Sequence, residues 1–175
     1  MASCLDDIRC MVWVNCTINA VCGSIAYKDM YWPEQQMKTN VKIPDGPIPL
    51  IDFFDVPEEG ELVNMVDGVF PFYNRPDVSY MFIAGSDDQC AAAKRSAREA
   101  EILLNRAEHP DFEIAYYEEA GHMLEPPYSP HCSVLFQPGP TFDIALKCGG
   151  ELIAHCKAQE HCWHKQLSFL KTRLQ

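Results

Sequence analysis

Ser79-Tyr80-Met81-Phe82-Ile83-Ala84-Gly85-Ser86-Asp87-Asp88 is an apolar run that stops at a glycine and places two carboxylates directly behind it. Such a run, with aromatic and branched residues and no polar alternation, is the pattern of a strand covered on both faces, as parallel sheets require. Upstream, Arg9-Cys10-Met11-Val12-Trp13-Val14-Asn15 has the same character and predicts a second covered strand. Downstream, residues 90–108 carry Ala, Arg, Glu and Leu in a helical pattern closed by His109-Pro110. Phe112-Glu113-Ile114-Ala115-Tyr116-Tyr117 predicts a third strand, residues 118–140 a loop rich in Gly, Pro and Ser, and residues 151–170, introduced by Gly149-Gly150, an amphipathic helix. Strand, helix, strand, loop and helix make a βαβα order. The expected fold class is therefore α/β, a parallel sheet flanked by helices.

Between the first two strands lies an irregular excursion, residues 24–78, without sustained periodicity and punctuated by Pro33, Pro44, Pro47, Pro49, Pro57, Pro71 and Pro76. One short helix is expected near residues 58–66. The aromatic residues Phe53, Phe54, Phe70, Phe72 and Tyr73 need burial, so the segment is expected to be ordered rather than a linker.

The chain has 175 residues, of which 47% are hydrophobic and 22% charged, the proportions of a globular domain. With 14 Lys+Arg against 25 Asp+Glu its formal net charge is -11. That sign repels phosphate backbones and anionic bilayers, so neither a nucleic-acid nor a membrane partner is expected. Nor does any apolar run approach the roughly 20 residues of a membrane span. Asp6 and Asp7 stand where a signal peptide would carry positive charge, and the terminus Lys171-Thr172-Arg173-Leu174-Gln175 is not a Ser-Lys-Leu peroxisomal address. The expected compartment is the cytoplasm, with the peroxisome as the alternative. Nine cysteines without a CxxC pair, four of them recurring every six residues at Cys4, Cys10, Cys16 and Cys22, read as reduced, buried, small side chains rather than disulfides or metal ligands.

In open parallel sheets, reactive groups gather at the carboxyl ends of strands. Two such ends carry titratable residues here: Gly85-Ser86-Asp87-Asp88, and Glu118-Glu119-Ala120-Gly121-His122. An acid followed along the chain by a histidine is the order of the second half of a nucleophile–acid–histidine triad. Read alone, Asp87-Asp88 has a second meaning as a helix N-cap ahead of Ala91 and Ala92. His161 and His164, with His155, Cys156 and Cys162, raise a metal site on the last helix. The other reading is a helix docked on the sheet through Trp163, Leu167 and Leu170, with the histidines near its exposed edge.

The segment Ala120-Gly121-His122-Met123-Leu124-Glu125-Pro126-Pro127-Tyr128-Ser129-Pro130 resembles the GH-x-x-EPPY segment of the acyl-CoA thioesterase family, which includes bile acid-CoA:amino acid N-acyltransferase. Met1-Ala2-Ser3, the strand leading to Asn15, Ala26-Tyr27-Lys28, the Gly85-x-Asp87-Asp88 turn, Gly149-Gly150-Glu151, Ala154-His155, Ala158-Gln159 and Trp163 match in the same order. The resemblance implies an α/β-hydrolase-like domain acting on acyl-CoA thioesters, with residues 1–175 forming its C-terminal part. It implies Asp88 as the catalytic acid, with Asp87 as the fallback, and His122 as the general base. No cofactor and no metal is implied.

The chain departs from that pattern in one respect. The family's nucleophile lies on a G-x-S/C-x-GG elbow ahead of the segment matching Met1-Ala2-Ser3, and no such turn occurs. Ser24 lacks the flanking glycines, and Cys4 falls about a helical turn beyond the elbow position. The expected function is acyl-CoA thioester hydrolysis, with acyl transfer to an amino acid as the alternative. A third reading is a catalytically dead binding or interaction fragment, associating through an exposed edge at its first strand, and a fourth is an incomplete gene model.

Overall fold

The computed structural model describes residues 4–21, 23–55, 68–138 and 144–175. In chain order the elements are β1 (Cys10–Val14), β2 (Ile25–Tyr27), β3 (Met30–Trp32), β4 (Ser79–Gly85), α1 (Ala93–Arg106), β5 (Phe112–Tyr117), β6 (Val134–Gln137), β7 (Ile144–Lys147) and α2 (Leu152–Arg173). The helix expected near residues 58–66, the Met1-Ala2-Ser3 match and Cys22 lie outside the described residues.

Continuous hydrophobicity puts β4 in the middle of a parallel sheet of order β1-β4-β5. Its alternate side chains feed two cores. Tyr80, Phe82 and Ala84 pack with Ala93, Ala97, Ala100 and Leu104 of α1 and with Phe72 and Ile18, while Met81 and Ile83 pack with Ala158, Cys162 and Phe169 of α2. The sheet is thus covered by α2 on one face and by α1 with part of the excursion on the other, the mixed α/β architecture expected. The second covered strand is the correction: all five residues of β1 are only half-buried, because among the described strands β1 has one neighbour and stands at the sheet's edge.

The excursion is less irregular than its composition predicts. Its described residues contain the antiparallel hairpin β2–β3 and the 3-10 turns Leu50–Phe53 and Phe72–Asn74, and they bury Phe54 and Phe72. The loop expected over residues 118–140 also contains a strand, β6, paired antiparallel with β7. These strands are three or four residues long, too short for a period to emerge.

On α2 the buried stripe is His155, Ala158, Gln159, Cys162 and Phe169, whereas Leu167 is exposed. Cys162 sits where Trp163 was expected and Phe169 where Leu170 was, so the docking face is rotated by a residue. Arg173 holds the end of this helix to β5 and the turn before it, forking onto Asp111 at 2.7 and 2.9 Å and reaching Glu113 at 3.3 Å. None of the helices among the described residues is long and apolar enough to cross a membrane.

Candidate active site

All three parallel strands point their carboxyl ends at one region. There β1 delivers Asn15 and Cys16, β4 delivers Ser86, Asp87 and Asp88, and β5 delivers the loop that carries His122. The loops approach too closely for side chains at the crossings. A Cβ on Gly85 would collide with the carbonyls of Ala120 and Gly121, and one on Gly121 with the backbone of Cys148 and Gly149.

Asp88 Oδ2 lies 2.8 Å from His122 Nδ1. Its other oxygen accepts the backbone N–H groups of Cys90 at 2.8 Å and Ala91 at 2.9 Å. The carboxylate is therefore fixed by its own following turn, which explains why a cap pattern and an acid pattern coincide at this place in the sequence. The cap itself is elsewhere: α1 begins after Ala92, with no side chain closing its first turn. Asp87, the fallback acid, faces away, its two oxygens accepting Gln89 Nε2 and the Gly150 N–H, both at 2.7 Å.

Donation of Nδ1–H to the Asp88 carboxylate leaves the lone pair of His122 on Nε2. Only 1% of the Asp88 side chain is exposed, against 29% for His122, so the acid is sealed and the imidazole is open on one side. The open side faces a hollow of about 360 Å³ walled by Val14, Cys16, His122, Leu124, Trp163 and Gln166, among others.

Two residues outside the expected acid–histidine pair hold the histidine loop. The Asn15 side chain donates to the carbonyls of Gly121 at 3.0 Å and His122 at 2.7 Å and accepts the Gly85 N–H at 2.7 Å. Its backbone is left-handed at φ 47°, a conformation Asn tolerates better than most residues. His155 accepts the Gly121 N–H on Nδ1 at 3.0 Å and donates from Nε2 to the Met123 carbonyl at 2.8 Å. Burial lowers its pKa below the ordinary histidine value, which keeps the neutral tautomer those bonds require. The His122 N–H donates to the Cys148 carbonyl at 2.8 Å. A signal for Asn15 was present in the sequence, since it ends a strand just as Gly85 and Tyr117 do. The sequence presents His155 as a metal candidate and as part of the Ala154-His155 match, not as a loop anchor, because a helix pattern does not disclose which loop its far face meets.

Of the last helix's metal candidates, His155 is buried rather than at an exposed edge, His161 bonds the Tyr117 hydroxyl at 2.8 Å, and His164 bonds the Glu160 carbonyl. Among the described residues, the grouping with cation-ligand spacing is Asp88, Cys90 and His122, whose ligand atoms lie within 4.8 Å of one another. Both Asp88 oxygens are already engaged. Desolvation, with Cys148 alongside, pushes the Cys90 thiol up to about 12. The arrangement suits proton handling better than cation binding.

The cysteines divide. Cys90, Cys148 and Cys162 are buried and Cys4, Cys10 and Cys132 half-buried, as small apolar side chains should be, but Cys16 and Cys156 are exposed. Neither nucleophile substitute weighed from sequence reaches His122. Ser24 is exposed ahead of β2, and Cys4 lines a separate apolar groove with Leu5, Ile25, Tyr27, Trp32 and Phe70.

The family model described as BAAT / Acyl-CoA thioester hydrolase C terminal matches residues 1–175. The chain is 31% identical over 179 residues to acyl-coenzyme A thioesterase 3 of Mus musculus, a match covering 99% of this chain and 39% of the relative. To the mitochondrial acyl-coenzyme A thioesterase 2 of Rattus norvegicus it is 33% identical over 177 residues, or 96% of this chain and 37% of the relative. To bile acid-CoA:amino acid N-acyltransferase of Homo sapiens it is 38% identical over 95 residues, or 54% of this chain and 22% of the relative. The chain thus spans well under half the length of these relatives. It belongs to the family of BAAT and acyl-CoA thioester hydrolase C-terminal domains.

Proposed function

We propose that the chain carries the acid–base half of an acyl-CoA thioester hydrolase, with His122 as the general base and Asp88 as its orienting acid. In this reading residues 1–175 are the C-terminal part of an α/β-hydrolase domain, with residues 24–78 as an excursion between β1 and β4. The single observation that carries it is the 2.8 Å contact between Asp88 Oδ2 and His122 Nδ1 at the carboxyl end of a parallel sheet, in a chain of this family.

The chemistry follows from the geometry. His122 Nε2 takes the proton of the attacking group as it adds to the thioester carbonyl. Asp88 stabilises the imidazolium that results and prevents the ring from turning over. The collapsing intermediate expels the CoA thiolate, which takes the proton back from Nε2. The products are a free acid and CoA when water is the final acceptor. The 95-residue stretch that matches the human acyltransferase favours a second reading, in which the nitrogen of an amino acid is the acceptor.

Release of free thiol from palmitoyl-CoA by the purified chain tests the first reading. His122→Ala is expected to lower the rate by about 10²- to 10⁴-fold while leaving the circular dichroism unchanged. Equal rates in the two proteins would refute it. Adding glycine or taurine and analysing the product as N-acyl conjugate or free acid separates the two acceptors.

A further inference from the structure

We infer that Cys90 and Cys148 are an oxidation site, a buried dithiol that a hydroperoxide closes into a disulfide and that thereby disarms the Asp88–His122 pair. The inference rests on the roles proposed above for those two residues. Cys90 Sγ donates to Cys148 Sγ at 3.9 Å. One residue lies in the loop between β4 and α1, the other just past β7, 58 positions further along the chain. Cys148 is fully buried and Cys90 is 8% exposed, with Leu50, Leu135 and Leu146 among the apolar side chains around them. A cavity of about 30 Å³ lies against Cys90, bounded also by Thr17, Gln35, Ile51 and Phe54. That volume admits a molecule the size of water or hydrogen peroxide and excludes one the size of glutathione. Cys148 is not among the residues lining it, so Cys90 is the sulfur an oxidant reaches first.

Both sulfurs hang from backbone that holds the acid–histidine pair. The Cys90 N–H donates to Asp88 Oδ1 at 2.8 Å, and the Cys148 carbonyl accepts the His122 N–H at 2.8 Å. A disulfide brings its two sulfurs to about 2 Å, so closure draws these two segments toward each other. The loops have no slack to absorb that movement. A Cβ on Gly121 would already meet the Cys148 carbonyl, and one on Gly149 the Asp87 carbonyl. The displacement is therefore passed to Asp88 and His122, where a misplacement of about 1 Å costs about 10²-fold in rate.

The step balances with hydrogen peroxide as the one co-reactant. The Cys90 sulfur takes an oxygen from the peroxide as the O–O bond breaks, giving the sulfenic acid and one water. The Cys148 sulfur, already facing Cys90, then displaces hydroxide from it. Its own proton leaves with that hydroxide as a second water, and the S–S bond forms. Two electrons pass from the sulfur pair to the peroxide. Burial raises both thiols above the ordinary cysteine value. With little thiolate at neutral pH the first step is slow. Thiols that gain nothing by ionising also leave the reduced pair unstabilised, which favours the disulfide once it has formed.

The test treats the purified chain with hydrogen peroxide, unfolds it in guanidinium containing N-ethylmaleimide, and maps the peptides by mass spectrometry. A peptide pair linked through Cys90 and Cys148 is expected. Free thiols at both positions, a sulfinic acid on Cys90, or a bond from Cys148 to the neighbouring Cys132 overturns the assignment. The effect on the site is read in two further ways. The ring nitrogen chemical shifts of His122, which report where its proton sits, are expected to move on oxidation and to return with dithiothreitol. Palmitate release from palmitoyl-CoA is expected to fall at least about tenfold and to recover likewise. Cys90→Ala and Cys148→Ala, each compared with itself before and after peroxide, are expected to keep the rate they had. A disulfide that leaves the His122 shifts unmoved, or leaves existing palmitate release unmoved, overturns the inference. So does an equal fall in the two variants, which would place the oxidation elsewhere. Absence of palmitate release before oxidation refutes the hydrolase reading instead, and the peptide map and the His122 shifts then decide this inference by themselves.

Discussion

The carboxyl end of the sheet and the excursion between β1 and β4 are held in different ways. At the sheet end, Asn15, Asp88 and His155 each satisfy two or three backbone or ring groups, and all three side chains are buried. Among its described residues the excursion is held instead by isolated bridges, Asn19 to Val69, Met37 to Phe54 and Ile48 to Leu146, and by apolar contacts of Trp32, Phe54, Val69 and Phe72, and it leaves Tyr31 63% and Ile43 66% exposed. Buried polar networks fix geometry because each missing partner strands another group away from water. Isolated bridges fix a path and little more. The difference places the rigidity of the molecule around His122.

Changes at the sheet end should therefore outweigh changes in the excursion. Asn15→Leu keeps the branched shape, with extra bulk, and removes every side-chain hydrogen bond, stranding the Gly85 N–H and the carbonyls of Gly121 and His122. At about 1 kcal/mol or more for each stranded group the loss is about 3 kcal/mol, read as a fall in Tm of roughly 6–12 °C. His155→Leu strands the Gly121 N–H and the Met123 carbonyl, and a loss of about 2 kcal/mol is expected in urea titration. A loss at Tyr31 equal to either would erase the distinction between the two regions.

The same histidine gives the sheet end a pH dependence. The folded pKa of His155 is depressed by burial, so below the unfolded value of about 6.5 the unfolded chain binds the extra proton and the folded one does not. The contribution is complete above that pH and is lost as the pH falls from it towards the folded pKa, with a slope of at most about 1.4 kcal/mol per pH unit. His155→Leu should flatten the curve of stability against pH in that window. An unchanged slope would assign it to another group. The smallest effect is expected from Tyr31→Ser in β3, within about 0.5 kcal/mol of wild type.

The sequence disclosed those parts of the molecule whose burial is two-sided or whose spacing is local. β4 was legible because apolar residues fill both faces; β1 and β5 were legible as apolar runs although each is at most half-buried at an edge of the described sheet, and α1 because Ala97, Ala100 and Leu104 repeat at helical spacing. Asp88 and His122 were legible as strand-end residues and through the resemblance around Gly121-His122. The phase of α2 was hidden because its inward stripe, His155, Ala158, Gln159, Cys162 and Phe169, includes two residues, His155 and Gln159, that do not read as apolar. The hairpins β2–β3 and β6–β7 were hidden by their brevity. Asn15's partners were hidden by distance, since Gly85, Gly121 and His122 lie 70 to 107 residues along the chain and only the parallel crossover brings them together.

The choice between the adjacent carboxylates tests the account most directly. Thiol release from palmitoyl-CoA should be measured for wild type, Asp88→Asn and Asp87→Asn under identical conditions. The geometry predicts that Asp88→Asn, which costs His122 its preferred tautomer, lowers kcat by about 10⁴-fold, while Asp87→Asn, which touches only Gln89 and Gly150, stays close to wild type. Loss of turnover in Asp87→Asn with Asp88→Asn still active would contradict the pairing of Asp88 with His122 and the mechanism built on it.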